Sequence, residues 1–156
     1  MIRDPIAEGI ARGWHVVDGS TLRGDRSIEV DIVIVGTGAG GGTAAEVLAG
    51  AGLRVALIEE GPLKSSRDFQ MHEAQAYPDL YQESAARKTK DKGITILQGR
   101  CVGGSTTVNW TTSFRTPPAT LAFWRDHYGL TDFTEDALAP WFARMEARLG
   151  IHRWEG

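Results

Sequence analysis

Apolar and polar positions fall in blocks along this chain. Residues 1–29 are a polar prelude, in which Asp4 and Pro5 form an N-cap and first-turn pair and Gly13 a stop. That predicts a short helix over about residues 5–12. Val30 to Val35 is a continuous apolar run broken only by Asp31. Such a run predicts a strand buried on both faces, as in a parallel sheet. A glycine cluster, Gly36 to Gly42, follows it. Thr43 to Ala51 is rich in small helix formers and ends at Gly52, a helix stop. Arg54 to Glu59 is a second apolar run, halted by Gly61-Pro62. Together these predict a strand–helix–strand unit and an α/β fold.

The next stretch is less regular. Residues 62–92 are polar, and the basic segment Arg87 to Lys92 reads as a solvated face. Ile94 to Leu97 predicts a short strand, and a second glycine cluster runs from Gly99 to Thr107. Pro117-Pro118 opens a helix with the apolar stripe Leu121, Trp124 and Tyr128, closed by Gly129. A last helix carries Leu138, Trp141, Phe142, Met145 and Leu149, with Pro140 expected in its first turn. Both stripes read as core or interface.

Composition narrows the function classes. With 156 residues, the chain is one ordinary domain or a part of a larger one. At 42% hydrophobic and 24% charged, it can build a core. A net charge of -3 offers no electrostatic reason to expect nucleic acid or an anionic membrane as partner. A single cysteine, Cys101, rules out an intrachain disulfide and a four-cysteine zinc site, and reads as a packed residue. No apolar run is long enough to span a bilayer, and the N-terminus lacks a signal-peptide pattern. The expectation is a cytoplasmic protein. His15, His72, His127 and His152 show no metal-ligand spacing. What stands out is 19 glycines, gathered in clusters.

The first cluster is a dinucleotide fingerprint. Residues 31–42 read DIVIVGTGAGGG, so Gly36, Gly38 and Gly41 give Gly-x-Gly-x-x-Gly between a strand and a helix. Gly36 permits the tight turn, Gly38 admits a pyrophosphate without an intervening side chain, and Gly41 lets helix and strand pack closely. The helix N-terminus that follows offers N–H groups and the positive end of its dipole to phosphates. Glu59 closes the second strand, where an acid accepts hydrogen bonds from the adenosine ribose and repels a 2′-phosphate. FAD and NAD share this fingerprint.

The second cluster separates them. Residues 99–117 read GRCVGGSTTVNWTTSFRTP. Gly99, Arg100, Val102, Gly103, Gly104, Ser105, Thr106, Val108 and Asn109 resemble, in order and spacing, the first signature of the glucose–methanol–choline (GMC) oxidoreductases, flavoenzymes that oxidise alcohols. The Glu59-x-Gly61 strand ending and the long excursion after it follow the same family order. The resemblance spans roughly residues 30 to 130, and VNWTTSFRTP is most like the bacterial and long-chain-alcohol branches. Ser113 departs from the signature, with Phe114 one position late, as a one-residue insertion would produce. Read from the residues alone, adjacent glycines followed by small hydroxyl residues expose an N–H array suited to a phosphate or a flavin edge.

The resemblance implies a Rossmann-like FAD-binding domain over residues 30–156, after an N-terminal extension over 1–29, with the substrate domain absent. It implies FAD contacts at Gly36, Gly38, Ala39, Gly41, Glu59, Arg100, Gly103, Gly104, Ser105, Asn109, Trp110 and Thr111. It also implies non-covalent attachment, because Val108 stands where members that tether flavin carry a histidine. The implied reaction is hydride transfer from a small-molecule alcohol to FAD, with the base-bearing segment beyond this stretch of chain. The chain then reads as the N-terminal part of a flavoenzyme. An NAD-dependent dehydrogenase and a non-catalytic nucleotide-binding fragment are the alternatives.

Overall fold

The two apolar runs pair. In the computed structural model, which describes residues 3–155, β1 (Ile32–Val35) and β2 (Val55–Ile58) form a parallel two-stranded sheet. Ile32 lies opposite Val55 and Val35 opposite Ile58. Asp31, the charge interrupting the apolar run, sits just before β1. Its carboxylate accepts from the Arg54 N–H at 2.8 Å and from the guanidinium at 2.8 and 3.2 Å. The two strands therefore enter the sheet in a shared register.

Parallel strands need a crossover connection, and α2 (Ala39–Gly50) supplies it. The helix starts at the glycine cluster, four residues before the expected Thr43. Glycine's poor propensity is offset here by tertiary packing against the strands. Gly52, at φ +89°, turns the chain out of the helix towards β2.

The strands are not buried on both faces among the described residues. Ile32 and Ile34 are half-buried, whereas Val33 is 58% and Val35 84% exposed. One face of β1 packs on α2 and the other has no cover. The sheet has two strands here, so the alternation is that of a one-sided layer.

Before β1, α1 (Pro5–Ala11) forms as expected. Asp4 caps it through the Ala7 N–H at 2.9 Å. The same buried carboxylate accepts from the Ser65 hydroxyl at 2.7 Å and faces Arg67 at 3.5 Å. The chain start is thereby pinned to the segment after β2.

That segment holds a helix that the polar composition conceals, α3 (Glu73–Leu80), with Pro78 inside it and Leu80 buried. The expected strand over Ile94–Leu97 is replaced by isolated antiparallel bridges, Lys88 with Thr95 and Tyr81 with Gly99. Ile94 is exposed and Gly93 and Gly99 flank the run, so no ladder propagates.

The chain divides into two compact units between Asn109 and Trp110. The second contains α4 (Pro118–Tyr128) and α5 (Glu135–Leu149). Leu121 is buried, Trp124 half-buried and Tyr128 exposed. In α5 the Thr134 hydroxyl caps the helix by accepting from the Ala137 N–H at 3.2 Å. Pro140 consequently lies in the helix interior, past the expected first turn. Its missing N–H leaves the Asp136 carbonyl without its usual helical donor. Arg115 clamps Glu146 at 2.7 and 2.8 Å and lies over the Phe142 ring. Among the described residues, no helix is long and apolar enough to cross a membrane.

Candidate cofactor site

The site is built where β1 ends. Gly36 adopts φ +90°, a conformation L side chains rarely take. It donates to the Ile58 carbonyl at 2.7 Å, which keeps the turn beside β2. At Gly41 an added Cβ would lie 2.0 Å from the Gly36 carbonyl oxygen and 3.3 Å from Ile34 Cγ2. Helix and strand thus approach as closely as backbone allows. Gly38 behaves differently, since a Cβ there would meet nothing within 4 Å. It faces open space at the mouth of α2.

Gly38 is also the N-cap of α2 and brings no side-chain cap. The first backbone bond of the helix runs from the Gly42 N–H to the Gly38 carbonyl at 2.8 Å. The N–H groups of Ala39, Gly40 and Gly41 precede it, at the positive end of the dipole. Donor chemistry and open space together fit a pyrophosphate.

The second glycine loop comes to the same place. Gly103 (φ +93°) and Gly104 (φ +54°) are both left-handed, and Gly104 to Thr106 form one 3₁₀ turn. A Cβ on Gly104 would stand 3.0 Å from Gly38 Cα, so the two loops touch through their backbones. Supports reach this loop from several sides. Val102 N–H donates to the Pro62 carbonyl at 3.0 Å, and Arg100 N–H to Leu80 at 2.7 Å. A Cβ on Gly61 would lie 2.3 Å from the Arg100 carbonyl oxygen, and one on Gly99 would lie 2.4 Å from Gly104. Ser105 Oγ accepts from the Gly99 N–H at 3.0 Å, and Asn109 Nδ2 donates to the Thr106 carbonyl at 2.7 Å. Cys101 is fully buried beneath the loop, and burial pushes its thiol upward.

Glu59 ties the pieces together. Oε2 accepts from the Thr37 N–H at 2.9 Å and the Thr37 hydroxyl at 2.6 Å, and Oε1 from the Gly61 N–H at 3.0 Å. Burial would raise this carboxyl, but the Thr37 hydroxyl and the N–H groups of Gly61, Thr37 and Glu60 outweigh it. The net effect holds it below its ordinary value. The Gly103 N–H donates to the same Thr37 hydroxyl at 3.0 Å.

The expected residues therefore separate into groups. Gly36, Gly38, Ala39, Gly41, Glu59, Gly103 and Gly104 form one cluster, with Ser105 and Asn109 bracing the loop from within. Arg100 turns its side chain to an exposed ion pair with Glu60 at 3.2 Å. Trp110 and Thr111 begin the second compact unit, where Trp110 is 83% exposed. Two further residues shape the site. Gly61 reads in the sequence as a strand stop within the Glu59-x-Gly61 ending, and the close backbone approach of Arg100 requires a glycine there. Thr37 occupies a variable position of the fingerprint. A hydroxyl between two glycines, with an acid closing the next strand, is the signal for it.

Comparison with known proteins agrees with this geometry. The FAD binding domain profile matches residues 31–95, and the GMC oxidoreductase profile matches residues 77–156, half of the chain. The chain belongs to the GMC oxidoreductase family. FAD is the cofactor of this GMC region, and nothing in the matches favours NAD. A long-chain-alcohol oxidase of Arabidopsis thaliana is 36% identical over 124 residues, covering 80% of this chain and 16% of that protein. An uncharacterized GMC-type oxidoreductase of Mycobacterium tuberculosis is 41% identical over 102 residues, covering 64% of this chain and 16% of its own length. The crystal structure of pyridoxine 4-oxidase from Mesorbium loti superimposes with a TM-score of 0.54 at 28% identity, over 73% of this chain and 24% of that one. That likeness, with the FAD binding domain profile, places the fold among Rossmann-like FAD-binding domains. The GMC chain spans only about a sixth of the length of the curated alcohol oxidases it resembles.

Proposed function

We propose that this chain provides the FAD-holding part of a flavoenzyme that oxidises the CH–OH group of a small-molecule alcohol. The observation that carries the reading is the contact between the two glycine loops, Gly104 on Gly38, over an uncapped helix N-terminus. A binding turn for a pyrophosphate alone has no use for the second loop.

Gly36, Gly38, Ala39 and Gly41 would cradle the pyrophosphate, and Glu59 the adenosine ribose. Three of the roughly four acceptor positions of the Glu59 carboxylate already serve Thr37 and Gly61, so it arrives oriented. Gly103, Gly104 and Ser105 would lie on the flavin side, with Arg100 and Asn109 completing the contacts of this unit. FAD, when bound, supplies a hydride acceptor. The chain's own part is to bind it, orient it and present backbone donors.

Alcohol as substrate class is supported by the long-chain-alcohol oxidases and the pyridoxine 4-oxidase among the similar proteins. Residues 30–156 would form this part of the FAD-binding domain, with residues 1–29 an extension ahead of it. The test is a titration of the purified chain with FAD, followed by gel filtration. The expected result is visible flavin absorbance travelling with the protein, undiminished by excess NAD. Flavin eluting free, or displaced by NAD, would overturn the reading.

A further inference from the structure

The fingerprint glycines leave one side chain between them. Thr37 stands between Gly36 and Gly38, and its hydroxyl serves two distant segments at once. It donates to Glu59 Oε2 at 2.6 Å and accepts from the Gly103 N–H at 3.0 Å. A hydroxyl has one proton to give and two lone pairs to accept with. A Ser or Thr hydroxyl fills both roles from one oxygen without adding charge. The Thr37 N–H also donates to Glu59 Oε2 at 2.9 Å, so that oxygen is held from two directions.

Replacing the hydroxyl would change both contacts together. The Glu59 carboxylate would keep its backbone donors, from Thr37 and Gly61, but lose its shortest partner. The Gly103 N–H would lose its acceptor, next to a residue whose backbone already presses on Gly38. The one hydroxyl that joins the first loop, the end of β2 and the second loop would be gone, while their backbone contacts remained.

We propose that Thr37 is a positioning residue for FAD, acting through its hydroxyl to orient the Glu59 carboxylate and to set the second glycine loop against the first. This rests on the reading of the site as an FAD site. Thr37 itself makes no contact with the cofactor in this scheme; it readies groups that do.

The experiment measures the FAD dissociation constant of the full chain by flavin fluorescence. The variants are Thr37→Val, Thr37→Ser, Glu59→Gln and the double variant Thr37→Val/Glu59→Gln. Valine keeps the shape and removes the hydroxyl. Circular dichroism checks that each variant is folded, and Thr37→Ala, which adds no bulk, replaces valine if that variant is not. Losing a hydrogen bond to a charged group should weaken FAD roughly tenfold or more. Serine should restore affinity to within about threefold of wild type. In the Glu59→Gln background the same valine change should cost markedly less, because the two side chains act together. Wild-type affinity in Thr37→Val would overturn the proposal while leaving the FAD site intact. So would a serine variant as weak as valine, or an equal cost in both backgrounds. Failure of the wild-type chain to bind FAD would instead overturn the site reading, and this inference with it.

Discussion

At the scale of single residues, glycines of one motif do different physical work. A Cβ at Gly38 meets no protein atom, while one at Gly41 would overlap the Gly36 carbonyl. Gly38→Val should therefore fold like wild type, at an unchanged urea midpoint, yet lose FAD on a desalting column. Flavin retained by that variant would remove Gly38 from the cradle. Gly41→Ala should instead lose stability, by ~1–3 kcal/mol as overpacking usually costs. Equilibrium unfolding measures it, and an unchanged midpoint would mean that α2 does not pack so closely. Val108 offers no nucleophile for a flavin tether. Acid precipitation of the loaded chain should release all its colour, and flavin in the pellet would contradict non-covalent binding.

At the scale of elements, charge decides how the strands begin. Arg54 holds the Asp31 carboxyl down to about 2, first through its side-chain fork and then through its N–H. Folding thus favours the ionised form. The stabilisation is complete above the ordinary value of 3.8 and is lost as pH falls through about 2. Asp31→Asn removes it. Urea unfolding of wild type and variant should show a stability gap at neutral pH that closes over that acid range. A gap independent of pH would show that the pair contributes nothing through its charge. Local pattern misleads on both the length and the existence of elements. α2 absorbs glycines that propensity would exclude, and α3 carries a proline and few apolar residues. In both cases packing against other segments overrides local preference.

At the scale of the molecule, the glycine loops supply donors but no base. Gly36–Gly42 and Gly99–Thr107 contain no histidine, and Glu59 is committed to Thr37 and Gly61. General acid–base help is worth about 10²–10⁴-fold, and substrate positioning about 7–11 kcal/mol. The 156-residue chain should hold FAD and leave its absorbance unbleached when alcohols of short and long chain are added without oxygen. Bleaching above a protein-free control would place a base among these residues. Apolar side chains also stand uncovered, with Val35 84% and Met71 95% exposed. The pattern of β1, apolar at every position but exposed on one face here, is that of a strand suited to cover on both faces.

The sequence by itself determined the strand–helix–strand unit, its parallel pairing and the tasks of Gly36 and Gly41, and its resemblance to a known signature pointed to the family. The elements follow from local rules: apolar runs, glycine spacing and helix stops need no knowledge of distant residues. Tertiary structure alone decided that residues 36–38 and 103–104 meet, because their approach depends on the excursion between them folding back through Leu80 and Pro62. It also decided what Glu59 does before any ligand arrives. A carboxylate's partners depend on which N–H and O–H groups the fold brings within 3 Å, and Thr37, Gly61 and, through Thr37, Gly103 are joined to it only in three dimensions.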